Sequence, residues 1–313
     1  MERVVLTVSN LSKNYGEIKA VDDVSFEIHK SEIMGLVGPN GAGKSTVIRI
    51  IMGILASSGG KVEFPLNGKS ASLDKERVGY LPEERGLYND VKVLDNLIYL
   101  AELKGISRKE AKYRAMKWLE RLDLADYANK KLEKLSKGMQ QKVQFIGAIL
   151  HKPDLVVLDE PFSGLDPLNQ EIFKEIIQQL GKDGTTVLLS AHQMNVVEEL
   201  CDSVFMIHKG KQVLYGNLRE IKKEYKEYII NISYQEGEDI SFLKDNTDLL
   251  VLKEQPQYIS FRYSGDATVN NLIQNIMSKL KVEEIRAEKP PLHDIFIQIV
   301  KERGEEIEEY KAM

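Results

Sequence analysis

The chain has 313 residues, enough for two domains with a buried core in the larger one. Its 42% hydrophobic and 29% charged residues describe a globular protein, and its net charge of −5 gives no electrostatic case for a nucleic-acid partner. One cysteine, Cys201, excludes an internal disulfide and suits a reducing compartment, and no run approaches the roughly 18–20 apolar residues that cross a bilayer.

The opening MERVVLTVSN has no basic segment followed by an apolar one, so no secretory leader is expected. Short β-branched runs predict strands at Val4–Val8, Val24–Ile28, Ile33–Val37, Val78–Leu81, Leu155–Asp159, Thr185–Ser190 and Val204–Ile207. Amphipathic stretches predict helices at Ser45–Leu55, Val91–Lys104, Arg108–Leu122, Lys137–Leu150, Leu168–Leu180 and Met194–Leu200. Ser107 followed by Glu110 reads as a capping box. Strands alternating with helices imply an α/β core around a mostly parallel sheet.

The texture changes after Gly216. Asn217 can cap a charged helix to about Lys226, read as a connector. Alternation at Tyr228, Ile230, Ile232 and Tyr234 predicts a strand. A short helix (Ile240–Leu243) and strands at Leu249–Leu252 and Ile259–Tyr263 follow. Val269, Leu272, Ile273, Ile276 and Leu280 then share one helical face, and Val282–Ile285 suits a last strand. This β-α-β-β-α-β order is ferredoxin-like. An amphipathic helix (Leu292, Ile295, Phe296, Ile299, Val300) leads into a charged tail.

Three segments carry chemistry. Gly38-Pro39-Asn40-Gly41-Ala42-Gly43-Lys44-Ser45-Thr46 matches the phosphate-binding loop and stands between a strand and a helix, as that loop requires. Its glycines let backbone N–H groups curl around phosphates at a helix N-terminus. Lys44 suits β/γ-phosphate charge, and Ser45 suits Mg²⁺. Further on, Asp159 and Glu160 follow the apolar run Leu155–Leu158. An acidic pair there is often only a loop start, but behind a phosphate loop it lies where ligands bind. Asp159 then suits Mg²⁺, and Glu160 suits polarising an attacking water. Between these segments, Leu135-Ser136-Lys137-Gly138-Met139-Gln140-Gln141-Lys142 opens an amphipathic helix, for which Ser136 could serve simply as the N-cap.

With this third segment in place, the chain resembles the ATP-binding-cassette family over roughly residues 1–220. The signature resembles LSGGQ, Ser163–Asp166 resembles the D-loop, His192 the switch histidine, and Tyr15 the aromatic residue that stacks on adenine. Each has a plainer reading: a core histidine for His192, a packing residue for Tyr15, a turn for Asp166-Pro167. The ordered set is what carries the resemblance. It implies ATP and Mg²⁺ as cofactors and two cassettes paired head-to-tail. Ser136, Gly138 and Asp166 of one would face nucleotide held by the other.

Three residues depart from the family pattern. Lys137 replaces a glycine. Met139 replaces a glutamine, so its amide contact is lost or passes to Gln140. Glu83, in Leu81-Pro82-Glu83-Glu84-Arg85-Gly86-Leu87-Tyr88, stands where a glutamine is usual. It can still offer Mg²⁺ an oxygen but adds a negative charge, whereas Glu84 reads as a solvated turn residue. This stretch, with the C-terminal module, resembles ATP-binding subunits of bacterial sodium-exporting and related export systems.

The expected fold is therefore a P-loop ABC-type nucleotide-binding domain over residues 1–220, with a helical subdomain at about 85–150. A connector (221–227) and a small α+β domain (228–313) follow. The expected function is the ATPase subunit of an exporter at the cytoplasmic face of the membrane. Its partners would be a separately encoded membrane permease and a second nucleotide-binding domain, in a homodimer. The alternative is a soluble ABC ATPase of translation or DNA repair. One cassette per chain, the absence of a long coiled coil and the acidic balance count against it.

Overall fold

Two long N-terminal strands turn back on each other at Gly16, whose φ of +58° suits glycine. The computed structural model describes residues 3–66, 69–71, 73–84, 86–265 and 267–303; Arg85 and the charged tail lie outside these. Two compact units divide the chain, the first closing at Asn217 and the second opening at Leu218.

In chain order the first unit contains β1 (Val4–Tyr15), β2 (Ile18–His29), β3 (Ile33–Val37), α1 (Lys44–Ile51), β4 (Gly59–Leu66), β5 (Lys69–Ala71) and β6 (Val78–Leu81). Then come α2 (Val93–Glu102), α3 (Arg108–Arg121), α4 (Lys137–Ile149), β7 (Leu155–Leu158), α5 (Pro167–Lys182), β8 (Thr186–Ala191), α6 (Met194–Leu200), β9 (Ser203–His208) and β10 (Lys211–Asn217). The central sheet has the order β10-β9-β3-β8-β7-β6 and is parallel from β9 to β6, with β10 added antiparallel.

The first two strands do not join it. They form an antiparallel sheet β2-β1-β4-β5, which the alternating burial along β1 permits and the fully buried β3 does not need. Neither β4 and β5 nor β10 was expected from the sequence. Pro65 interrupts the one, and β10 buries only Val213 along its length. Tyr215 ties β10 to β2 by donating its hydroxyl proton to Glu27 O at 3.0 Å.

Helix starts follow the capping chemistry. Ser136 Oγ accepts from Met139 N at 3.3 Å, and Asp166 Oδ1 accepts from Asn169 N at 3.0 Å, each worth ~1 kcal/mol. The capping box at Ser107 is only half built: Ser107 Oγ accepts from Glu110 N, but the Glu110 carboxylate turns to Arg114 at 2.7 Å. The ion pair offers that carboxylate a charged partner on the next turn, which a backbone N–H does not.

The second unit holds α7 (Leu218–Glu224), β11 (Tyr228–Tyr234), α8 (Ser241–Lys244), β12 (Leu249–Gln255), β13 (Tyr258–Tyr263), α9 (Val269–Lys279), β14 (Val282–Glu288) and α10 (Leu292–Glu302). Its antiparallel sheet has the order β12-β13-β11-β14, the ferredoxin-like arrangement. Ile230, Ile232, Ile259 and Phe261 pack with Leu272 and Ile276 of α9 in one core. The helix read as a connector, α7, groups with this unit.

Candidate functional site

The site forms where the central strands end. β3 runs into the glycine loop, β6 into Pro82-Glu83, β7 into Asp159-Glu160 and β8 into His192, all at carboxyl ends. The loop lies so close to β9 that a Cβ on Gly38 would be 2.2 Å from Ile207 O. One on Gly43 would be 2.6 Å from Ala20 O, and its φ is +113°. Only glycine fits either position.

Lys44 is buried, and its Nζ donates to Gly38 O at 2.7 Å and Pro39 O at 3.1 Å. Glu160 Oε1 lies 3.7 Å from the same nitrogen. Burial lowers the Lys44 ammonium below its ordinary range, against the pull of Glu160, Asp159 and Glu83. Burial also raises Asp159, aided by the like charges of Glu83 and Glu160 and opposed by hydrogen bonds from Ser190 and Ser45. Burial thus imposes a desolvation cost on the charged form of each group.

Ser45 Oγ is 3.4 Å from Glu83 Oε2 and 3.5 Å from Asp159 Oδ1. One hydroxyl proton cannot serve both at such lengths. The three oxygens form the all-oxygen donor set that a hard divalent cation prefers. Among the described residues no three His, Cys, Asp or Glu side chains are placed to hold a metal by themselves. The cleft of about 320 Å³ is lined by Asn40, Gly41, Gly43, Lys44, Ser45, Thr46, Glu83 and Glu160, with Ala20 on β2.

Glu160 takes φ +51°, uncommon for a residue with a side chain. Its N–H donates to Ser190 Oγ at 2.8 Å, while that hydroxyl donates to Asp159 Oδ1 at 2.6 Å. Ser190, buried within β8, therefore fixes the Asp159 carboxylate and the Glu160 main chain. Sequence reading passed over it as one polar residue in an apolar strand; its place two residues before His192 was the available signal. Asn96 was also missed. Its buried amide accepts from Tyr88 N at 3.1 Å and donates to Tyr88 O at 3.0 Å, fixing the segment after Glu83.

His192 Nδ1 lies 2.9 Å from Glu160 Oε2. Lys44, Ser45, Glu83, Asp159, Glu160 and His192 are thereby brought together. Tyr15, Ser136, Gly138 and Asp166 do not line that cleft. Tyr15 is half-exposed, with Lys13 Nζ 5.2 Å from its ring centre. Ser136 is exposed at the start of α4. Asp166 is held below the usual carboxylate range by hydrogen bonds from Asn169. Gln140 does not take over from Met139: it is buried and donates to Leu132 O and Leu135 O, both at 3.1 Å.

A glycine loop wrapped on a buried lysine, facing carboxylates at neighbouring strand ends, defines a P-loop nucleoside triphosphatase. The ABC transporter family profile matches residues 21–163, and that of the C-terminal domain of DrrA1-3-like ATP-binding proteins matches residues 216–300. The uncharacterized ABC transporter ATP-binding protein YhaQ of Bacillus subtilis is 42% identical over 95% of this chain and 98% of its own. The ABC transporter ATP-binding protein NatA of the same organism is 38% identical over 72% and 95%. Among solved structures, an ATP-binding subunit of an ABC transporter superposes with a TM-score of 0.65 at 32% identity, covering 70% of this chain and 92% of that one. A dimeric post-hydrolysis ATP-binding cassette bound to ADP and Pi gives 0.62 at 26%, covering 68% and 99%.

The chain belongs to the ABC transporter ATP-binding proteins. It is an ATPase, and the relatives place it with transport rather than with translation or DNA repair. Among the described residues no helix is long and apolar enough to cross a membrane.

Proposed function

We propose that this chain powers an exporter: it binds ATP with Mg²⁺, pairs with a second copy of itself, and drives a separately encoded membrane permease from the cytoplasmic face. The observation that carries the hydrolytic part is the convergence of Ser45, Glu83 and Asp159 beside Lys44, with Glu160 turned toward His192. Mg²⁺ bound there would neutralise phosphate charge; Ser45, Glu83 and Asp159 would hold it. Lys44 leaves the Gly38 and Pro39 carbonyls to meet the β- and γ-phosphates. Glu160 accepts a proton from the attacking water, and His192 orients that carboxylate. Tyr15 stacks on adenine at the tip of β1. Ser136, Gly138 and Asp166, which lie outside the cleft of their own chain, act on nucleotide held by the partner cassette.

The reading of export rests on the resemblance of Leu81–Tyr88 and the C-terminal module to bacterial export systems; a relative named for linearmycin resistance, LnrL of Bacillus subtilis, is 35% identical over 69% of this chain. Co-expression with a candidate multi-span permease from a neighbouring reading frame tests the assembly. Recovery of a membrane complex whose ATP turnover rises with the transported solute supports the proposal. Recovery of the chain on ribosomes or DNA instead overturns it.

A further inference from the structure

We infer that Glu83 makes nucleotide binding depend on the divalent cation: it selects the cation–nucleotide complex and repels nucleotide without metal. This rests on the phosphate-loop reading above and goes beyond it, because a neutral glutamine could supply the same oxygen to a cation but could not repel. Among the described residues the cleft is lined by one cationic side chain, Lys44, and two carboxylates, Glu83 and Glu160, with Asp159 3.5 Å from Ser45 Oγ behind them and His192 turned onto Glu160. Asp159 is screened by its short hydrogen bond from Ser190, and Glu160 is 3.7 Å from Lys44. Among the described residues Glu83 has no partner as close: its contact in the cleft is the 3.4 Å approach to Ser45 Oγ, and of the three carboxylates it acts least on Lys44.

Triphosphate entering alone brings further negative charge against this surplus. Triphosphate entering with a divalent cation places two positive charges between the phosphate and the Glu83 carboxylate, and the sign of the interaction reverses. Coupling of this kind is reciprocal, so nucleotide also raises affinity for the cation by the same factor. Glu83 is exposed to solvent, which limits the effect to the order of tenfold, or ~1.4 kcal/mol.

The test is titration calorimetry of the full chain with a non-hydrolysable ATP analogue, in EDTA and in saturating Mg²⁺. Glu83→Gln should bind the analogue about tenfold more tightly in EDTA and within about threefold of the parent in Mg²⁺. The EDTA difference should shrink as salt is raised, because exposed charges are screened. Glu84→Gln, whose carboxylate is outside the cleft, should leave both arms unchanged. An effect confined to the Mg²⁺ arm would make Glu83 a plain metal ligand and overturn the inference. So would equal shifts in both arms, or equal effects from Glu83→Gln and Glu84→Gln. Lys44→Ala separates the underlying reading: it should weaken both arms, and unaltered binding by that variant would refute the phosphate-loop assignment itself. Circular dichroism on each variant confirms the fold.

Discussion

Nδ1 of His192 sits 2.9 Å from one carboxylate oxygen of Glu160, joining the end of β8 to the end of β7 across the reaction centre. The other oxygen faces Lys44. Glu160 is thus held by groups of both kinds it would meet in turnover, a phosphate-binding cation and an orienting ring. Glu160→Gln should bind MgATP normally, hydrolyse it at least ~100-fold more slowly, and accumulate an ATP-bound dimer. Steady-state turnover and gel filtration with ATP check this; near-normal turnover would remove Glu160 from the role of general base.

Ser190→Ala deletes two hydrogen bonds in one step, leaving the Glu160 N–H and Asp159 without their buried partner. Unfolding free energy should fall by about 1–3 kcal/mol, with a loss of turnover larger than that of an equally destabilised core variant. Denaturant titration paired with turnover separates the two effects. Retained stability and activity would show that the serine is incidental.

His151 supplies a pH prediction. Its ring is buried, Val78 O offers at most a weak contact that meets no strict hydrogen-bond geometry, and Lys104 and Arg114 bring positive charge toward it. Burial first, and Lys104 next, push it down to about 4 from an ordinary 6.5. A lowered folded-state value means that the folded form prefers neutral imidazole. This contribution is complete above about pH 6.5 and is lost as pH falls toward 4, by ~3 kcal/mol in all. Carboxylates also titrate near the lower end, so the measurement is the difference between the parent and His151→Gln. The variant should show a shallower loss of stability between pH 6.5 and 4.5, and identical slopes would contradict the assignment.

Tyr15 is tested by size and aromaticity. Tyr15→Ala should weaken ATP about tenfold, within the 1–3 kcal/mol of base–aromatic stacking, while Tyr15→Phe should not. Equal effects, or none, would return Tyr15 to the role of a packing residue.

A chain ending at Asn217 keeps β10 and every residue of the cleft, so it should still bind ATP. Light scattering should show weaker assembly, if the second unit serves association. Unchanged assembly would exclude that role.

The phosphate loop and its flanking strand were legible because glycine spacing, β-branched runs and a helix start coincide within about a dozen residues. β3 and β6 have the bounds that their apolar runs imply. The C-terminal sheet was legible too, since Tyr228–Tyr234 alternates burial at every second position from Ile230. Less visible was anything set by distant partners. The separate N-terminal sheet depends on β4, whose pattern Pro65 obscures. Gln140 looked free to replace Met139, yet the carbonyls of Leu132 and Leu135 turn it inward. Ser190 gains its importance only from the Asp159 carboxylate and the Glu160 N–H, 31 and 30 residues away in sequence.

The division of the first unit into two sheets has a further consequence. Tyr15 ends a strand of the antiparallel sheet, while Lys44, Asp159, Glu160 and His192 follow strands of the parallel one. In the proposed binding mode the nucleobase and the phosphates are therefore read by different scaffolds. Changes at the β1–β2 tip can then retune which base is accepted while the machinery that cleaves the phosphoanhydride stays intact. Purine preference and hydrolytic rate become separable traits, open to independent drift and to independent redesign.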